Sequence, residues 1–313
     1  MSPRRAVAVG GGTGLPLVLQ CLLRAGFETT AVVTVADDGG SSGRLRKELG
    51  ILPPGDIRNC LVAMADPASP LAEVFQYRVG RTEGFRGHAI GNLIIAALTD
   101  IKGGFAEAVQ EAGRLLGARG RVLPSTLADV VLWGRDSSGH MVIGQANVAA
   151  AAGPIGAVSL EGGSVRGGGI TGYGPAIDAL READLIVIGP GSLFTSIIPN
   201  FLVDGITAAV AESDAAVLYV CNVTSLPGET GGMDAADHVE ALMNHGLAGL
   251  IDVTIVDRSL LGEAPDGAPG AAPYVRARIE QLGIHVHSAD LVDATDPRRH
   301  DPDRLFHALA EVW

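Results

Sequence analysis

Residues 7–15 read Val7-Ala8-Val9-Gly10-Gly11-Gly12-Thr13-Gly14-Leu15, and the fold turns on how they are interpreted. Arg5 to Val9 has the length and character of a buried parallel strand, and Leu15 to Ala25 is long and apolar enough for a buried helix. Gly10, Gly11, Gly12, Thr13 and Gly14 leave no room for a conventional loop between the two. A strand that turns into a helix through glycines presents bare backbone N–H groups at a helix N-terminus, where unpaired donors and the helix dipole both favour phosphate. The pattern departs from the dinucleotide fingerprint, whose sixth position from Gly10 is glycine and here is Leu15. It also departs from the ATP-binding P-loop, since it carries no lysine. A tight turn whose glycines merely supply positive φ is the competing account.

Composition narrows the class. The 313 residues are 47% hydrophobic but only 4% aromatic, with 43 glycines, which suits an α/β chain of Val, Ile, Leu and Ala with many close turns. A net charge of −12 speaks against a DNA or RNA backbone footprint, so no nucleic-acid partner is expected. No apolar run approaches the roughly 18 residues of a spanning helix, and MSPRR leads into a strand rather than a signal segment. Cys21, Cys60 and Cys221 are far apart and each lies in an apolar segment, as buried thiols of a reducing compartment do. A cytoplasmic location is expected.

Downstream, Thr29 to Val35 reads as a second strand that ends in Ala36-Asp37-Asp38-Gly39-Gly40-Ser41-Ser42-Gly43. Asp37 and Asp38 stand close to where the acidic residue of a nucleotide-binding βαβ unit meets a ribose hydroxyl. Turn chemistry is the alternative, with Ser41 or Ser42 capping a helix that starts near Arg44. Pro53-Pro54-Gly55-Asp56-Ile57-Arg58-Asn59-Cys60 then opens a helical stretch to about Asp66, with Asp56 as its expected cap. Gly87-His88-Ala89-Ile90-Gly91-Asn92 precedes a helix over Leu93 to Ile101. Asn59 and Asn92 sit at the mouths of these helices, where an asparagine often serves only local backbone groups. His88 reads as a surface or capping residue, and no HxH or HExxH spacing points to a transition metal.

From Gly120 the character changes. Asp129 to Trp133 and Met141 to Gln145 flank a turn and read as an antiparallel hairpin; Glu161 to Gly174 is a glycine-rich passage with the length of an active-site lid or a surface connection. With no internal repeat or low-complexity linker, the chain reads as a single domain over 1–313, with an inserted hairpin and glycine-rich region around 120–174. The helix Pro175 to Ala183 leads into a strand, Leu185 to Ile188, and then a second loop carrying Gly189, Gly191, Ser192, Thr195 and Ser196 before a helix over Phe201 to Glu212. The strand Val217 to Cys221 closes in Asn222, and later strands are expected at Val253 to Val256 and Ile284 to His287, with a last helix near Asp303 to Trp313. Four strand ends thus carry Gly, Ser, Thr, Asn or Asp. In open parallel sheets ligands gather there. The expected architecture is a doubly wound, mostly parallel, Rossmann-like α/β fold.

The stretches GGGTGL, VADDGGSSGRLR, PPGDIRNCLVAMAD, GNLIIAAL, GPGSLFTSIIPN and CNVTSLPGET together resemble the gluconeogenesis factor family, a relative of the 2-phospho-L-lactate transferases. They run in family order from Gly10 to about His238. The resemblance implies a doubly wound α/β fold, binding of UDP-sugars such as UDP-N-acetylglucosamine, and a role in cell shape, peptidoglycan synthesis and growth on gluconeogenic carbon sources. Cell-wall or morphogenesis proteins would be partners, and self-association stays open. The tail is the family's most variable part.

Two functions compete. The first is a regulatory binding protein that senses a nucleotide sugar and requires no cofactor. The second is a Mg²⁺-dependent transferase that moves a phosphoryl-linked group from a nucleoside diphosphate to an acceptor alcohol. In the second, Asp37 or Asp38 would hold the metal or act as base, and Arg44 or Arg58 would neutralise phosphate. The phosphate loops lack lysine and no nucleophile is paired with a motif histidine, so the binding function is favoured.

Overall fold

A computed structural model of the chain describes residues 4–66, 68–80, 84–136, 138–162, 170–261 and 273–313. Its strands are β1 (Arg5–Gly10), β2 (Glu28–Val33), β3 (Arg121–Pro124), β4 (Val130–Asp136), β5 (Met141–Ile143), β6 (Ile155–Gly162), β7 (Leu185–Ile188), β8 (Ala216–Val220), β9 (Val253–Asp257) and β10 (His285–Ala289). Seven of them form one sheet in the order β10-β9-β8-β7-β1-β2-β3, every pair parallel. Parallel strands are covered by helices on both faces, so they are apolar throughout rather than alternating. Ala6 to Val9 and Leu185 to Ile188 are buried accordingly. The order reverses between β1 and β7, which opens a crevice beyond their carboxyl ends. The Rossmann-like expectation is met.

Helices α1 (Leu15–Arg24), α2 (Gly40–Leu49), α3 (Gly55–Met64), α4 (Pro70–Gln76), α5 (Ile90–Lys102) and α6 (Phe105–Leu116) fill the first half. Five of them separate β2 from β3, so the crossover is itself a helical insertion. Two boundaries differ from expectation. Helix α2 starts at Gly40, with Gly39 as an N-cap that offers no side chain, so Ser41 and Ser42 lie inside the first turn instead of capping it. Asp56 is likewise inside α3, whose N-cap is Pro54.

The helix expected over Phe201 to Glu212 is broken into Ile198–Phe201 and Ile206–Glu212. The cause is long-range pairing. Asp204 N–H donates to the Ile170 carbonyl at 2.8 Å and its own carbonyl accepts from Gly172 N–H at 2.9 Å, which takes both groups out of any helix. Gly205 then takes φ +90°, a left-handed value open to glycine.

The hairpin β4–β5 is present, and β6 adds a third antiparallel strand that sequence patterning did not separate from the surrounding loop. This small sheet and the helix Gln145–Ala149 reach across the carboxyl ends of the large one. Asp38 accepts from the N–H groups of Gln145 (3.0 Å) and Ala146 (2.8 Å) at one side. Ile155 N–H donates to the Glu229 carbonyl (3.2 Å) and Val158 N–H to His245 Nε2 (3.2 Å) at the other. Of the glycine-rich passage between Glu161 and Gly174, residues 163–169 lie outside the described residues, as does Ser137 of the hairpin turn.

The C-terminal helix Pro302–Ala310 packs on α1. Arg24 pairs with Asp303 at 2.6 Å and stacks over Phe306 at 4.0 Å, and Trp313 meets the Phe27 ring edge-on at 5.3 Å. That docking carries the preceding segment, 293–302, to the rim of the crevice.

Candidate ligand cleft at the sheet switch point

The strand-to-helix turn after β1 is held open by its glycines. Gly12 has φ +68°, and a Cβ at Gly14 would lie 2.4 Å from the Pro190 carbonyl oxygen. The β1 loop and the Gly189–Ser192 loop therefore touch backbone to backbone, with nothing between them but hydrogen. Gly14 is the N-cap of α1 and no side chain caps that end. Pro16 brings no N–H and Leu17 N–H returns to the Gly14 carbonyl at 3.0 Å, so the amides this end offers a ligand are those of Thr13, Gly14 and Leu15. Leu15 occupies the sixth fingerprint position because its side chain, fully buried, fills the core beneath Gly10. Only its backbone can serve a ligand.

The facing loop is braced from below. Asn222 holds Gly191 on both sides, accepting from its N–H at 3.0 Å and donating Nδ2–H to its carbonyl at 2.6 Å. Buried Asn200 donates Nδ2–H to the carbonyls of Gly10 (3.1 Å) and Ser196 (2.9 Å), tying this loop to the end of β1. Glu229, fully buried, accepts from the N–H groups of Phe194 (2.6 Å) and Thr195 (2.9 Å) at the start of the π-helical turn Leu193–Ile197. Thr195 Oγ1 also points to Glu229, at 3.2 Å, and so turns away from the crevice. Ser196 packs against Gly11 and Gly12.

Above the two loops lies a cleft of about 550 Å³. Its floor is Thr13, Gly14, Gly191 and Ser192; Asn222 to Thr224 form one wall; Asp293, Thr295, Asp296, Arg298, Arg299 and His300 form the rim. The rim is anchored: His300 Nε2–H donates to the Cys221 carbonyl at 3.0 Å, and buried Asp257 accepts from Leu291 N–H at 2.7 Å. Arg298 pairs with Asp296 at 3.0 Å. Among the described residues, Arg299 makes no side-chain hydrogen bond or close ion pair, but its charge acts on the rim carboxylates Asp293 and Asp296, both held below the usual carboxylate range.

This geometry can be set beside known proteins. The gluconeogenesis factor of Bacillus subtilis is 41% identical over 100% of the chain and 99% of its own length. That of Halalkalibacterium halodurans is 39% identical over 99% and 97%. The chain belongs to the gluconeogenesis factor family. It also matches the family described as 2-phospho-L-lactate transferase CofD over residues 6–292. A crystal structure of a UPF0052-family protein from Bacillus halodurans superposes with a TM-score of 0.88 at 37% identity, covering 99% of both chains.

The other residues marked by this family's motifs lie on the far side of the β1 loop. Asp37 accepts from Gly39 N–H at 3.0 Å, while Asp38 is occupied by the Gln145 and Ala146 amides. The carboxylate that faces the β1 loop is Asp56: its Oδ2 lies 2.8 Å from where a Gly11 Cβ would be. Burial, and then the neighbouring Asp37, push the Asp56 carboxyl up to about 6. Burial raises Asp37 as well. Arg58, Asn92, Ser41 and His88 form one buried network, which half-buried Asn59 joins, and Arg44 reaches the Arg86 carbonyl at 2.7 Å. His88 is buried, contrary to the surface placement expected, because Ser41 Oγ meets its Nδ1 at 2.9 Å. Asn92 likewise bonds Arg58 and Ser41 rather than local backbone. Patterning did not mark Glu229, Asn200, Asp56 or the rim as site residues; only PPGDIRN carried a hint, since a carboxylate there need not cap.

The raised Asp56 carboxyl gives a stability prediction. Its folded-state value lies above the unfolded one, so ionisation opposes folding and stability falls as pH rises towards and through about 6. Asp56→Asn is therefore expected to stabilise the protein at pH 7.5 by about 1–3 kcal/mol, with the gain fading towards pH 4. Urea unfolding at several pH values reads this directly, and a variant less stable than wild type at pH 7.5 refutes it.

Proposed function

We propose that the cleft binds a nucleoside diphosphate sugar of the UDP-N-acetylglucosamine kind, and that the protein acts as a sensor for cell-shape and peptidoglycan-synthesis partners during growth on gluconeogenic carbon sources. The observation that carries this reading is the juxtaposition of an uncapped α1 N-terminus with Arg299 across one cleft. A diphosphate placed on the Gly11 to Leu15 amides would have the Gly189 to Ser196 loop on its other side and the rim arginine over it. The 550 Å³ volume suits a ligand larger than a lone phosphate. Family membership supports the same reading.

A second reading is favoured by one feature, the approach of Asp56 to Asp37 beside the phosphate loop. In a transferase like the related CofD enzymes, Mg²⁺ would be held by Asp37 and Asp56 rather than by Asp37 and Asp38, whose second carboxylate is occupied by backbone amides. Two raised carboxyls side by side are the electrostatic situation that a divalent cation relieves. The metal would neutralise the diphosphate, and a carboxylate freed of its proton could take that of the acceptor hydroxyl.

Thermal shift separates the two. A ligand at about 100 times its Kd adds about 2.7 kcal/mol to folding stability, which moves the melting temperature of a chain this size by several degrees. The sensor reading expects a clear shift with UDP-N-acetylglucosamine, a smaller one with UDP and little with NAD. It also expects the sugar nucleotide back intact after long incubation with Mg²⁺ and acceptor alcohols. Time-dependent release of UDP or UMP, lost in Asp37→Asn, would establish the transferase instead.

A further inference from the structure

Three helices start at one point on the far side of the β1 loop. Helices α2, α3 and α5 are 10, 10 and 13 residues long, and none has a side-chain cap at its N-terminus. Their first turns approach so closely that glycine is required. A Cβ at Gly55 would meet Ser42 Oγ at 2.4 Å, and one at Gly91 would meet Arg58 Cδ at 2.8 Å.

Arg58 lies among these ends, 3% exposed. Its Nη1–H donates to Asn92 Oδ1 at 3.1 Å and its Nη2–H to Asn59 Oδ1 at 2.6 Å, while buried Nε has no hydrogen-bond partner among the described residues. Both acceptors are neutral amides. No carboxylate is within ion-pair distance of this guanidinium among the described residues, and Asp56 acts on it only from further off. Burial first, and then Arg78, lower its affinity for a proton to a value of about 10. Arg78 lies over the same turn, its Nη1–H reaching the Gly87 carbonyl at 3.2 Å, and Arg44 lies beside His88. A buried cation without a counter-ion is costly. Here three helix N-termini add positive potential to the same place, and the carboxylates that face it are Asp37, between the starts of α2 and α3, and Asp56, in the first turn of α3.

The polar side chains are also set as donors. Asn92 Nδ2–H donates to Ser41 Oγ at 3.0 Å, so the Ser41 O–H is free to donate to His88 Nδ1 at 2.9 Å, which sets the tautomer with Nε2–H as a donor.

We infer that the convergent ends of α2, α3 and α5 around Arg58 form a second oxyanion pocket, which takes the phosphate of a small phosphomonoester and is separate from the cleft at Thr13 and Arg299. An oxyanion here supplies the counter-charge that Arg58 and Arg78 lack and accepts from amides arriving along three axes, an arrangement that matches a tetrahedral dianion better than a planar carboxylate. Asp56, two residues before Arg58 on α3, meets the β1 loop at Gly11. A phosphorylated metabolite bound in the pocket could report to the same loop that floors the cleft. This inference does not require the cleft to hold a nucleotide.

The test uses inorganic phosphate as probe, at constant ionic strength, with melting temperature read across a concentration series. Wild type is expected to show a saturable rise that persists at saturating UDP, with acetate giving little. Arg58→Gln and Ser41→Ala should raise the half-saturating phosphate concentration by about tenfold or more, the loss expected for a hydrogen bond to a charged group. Arg78→Gln, at an exposed position that any fold tolerates, should raise it severalfold while leaving the UDP shift unchanged. Absence of a phosphate shift, its removal by UDP, an equal shift with acetate, or indifference to Arg78→Gln would each overturn the pocket. Should UDP itself fail to shift the protein, the nucleotide reading falls and the phosphate series still decides this one. If Arg58→Gln does not fold, the Arg78 and Ser41 variants carry the test alone.

Discussion

Gly14→Ala is expected to abolish nucleotide-sugar binding while leaving a folded protein. The added Cβ would lie 2.4 Å from the Pro190 carbonyl oxygen and 2.8 Å from the Pro190 carbonyl carbon. Both are backbone atoms, so no rotamer change relieves the contact, and the α1 N-terminus must separate from the Gly189–Ser192 loop by about 1 Å to restore ordinary van der Waals spacing. Overpacking of this kind costs about 1–3 kcal/mol of stability, which a domain of this size survives. Binding suffers more, because donors on two loops cannot both keep about 2.9 Å to one diphosphate once the loops part. Losing two hydrogen bonds to a charged ligand, at about 1.5–3 kcal/mol each, lowers affinity by more than about a hundredfold. Calorimetric titration with UDP-N-acetylglucosamine measures this, and Gly174→Ala, where a Cβ meets nothing within 4 Å, is the control that keeps wild-type affinity. A folded Gly14→Ala protein that binds as tightly as wild type would remove the phosphate-loop assignment. Gly12→Val tests the same loop less cleanly, since φ +68° strains the backbone whatever the ligand does.

Glu229→Ala should be among the most destabilising single changes in the chain, at about 3–5 kcal/mol. Its carboxylate is fully buried and closes the start of the Leu193–Ile197 turn by accepting from Phe194 N–H, Thr195 N–H and Thr195 Oγ1. Alanine leaves these donors unsatisfied in a site closed to water and adds a cavity. Glu229→Gln separates charge from shape. Burial raises the Glu229 carboxyl, so ionising it opposes folding, and wild-type stability at this residue falls as pH rises through its folded-state value. The glutamine carbonyl can accept from the same N–H groups without the charge. Glu229→Gln should therefore lie within about 1.5 kcal/mol of wild type and gain on it as pH rises, with ligand affinity intact. Chemical unfolding of both variants across pH reads the difference. If glutamine proves as damaging as alanine, the carboxylate's charge, not its acceptor geometry, holds the turn.

These outcomes locate the functional question at a boundary between two chemistries. The cleft side of the β1 loop offers amides and an arginine rim; the other side offers raised carboxyls and a buried cationic network. A sensor needs only the first. A transferase would use both, with Asp37 and Asp56 between them.

The sequence by itself determined the fold class and the family, and it marked the loops that border the candidate cleft. Val7 to Leu15 could be little else than a strand turning into a helix, and apolar runs such as Leu185 to Ile188 could be satisfied only by burial in a parallel sheet, because local periodicity is what such elements depend on. Six motifs in order were enough for the family. What only the tertiary structure decided was which polar groups meet. Asp38 is taken by amides 107 and 108 residues away, Glu229 closes a turn 35 residues before it, and Arg58 finds Asn92 across 34 residues. Asp56, read as a cap, instead faces a glycine loop at the end of another strand. The rim arginines reach the cleft only because the last helix docks on α1. A side chain's type and spacing record what it can bond; which partner it receives depends on distances set when the sheet and its helices pack, and no local pattern encodes those distances.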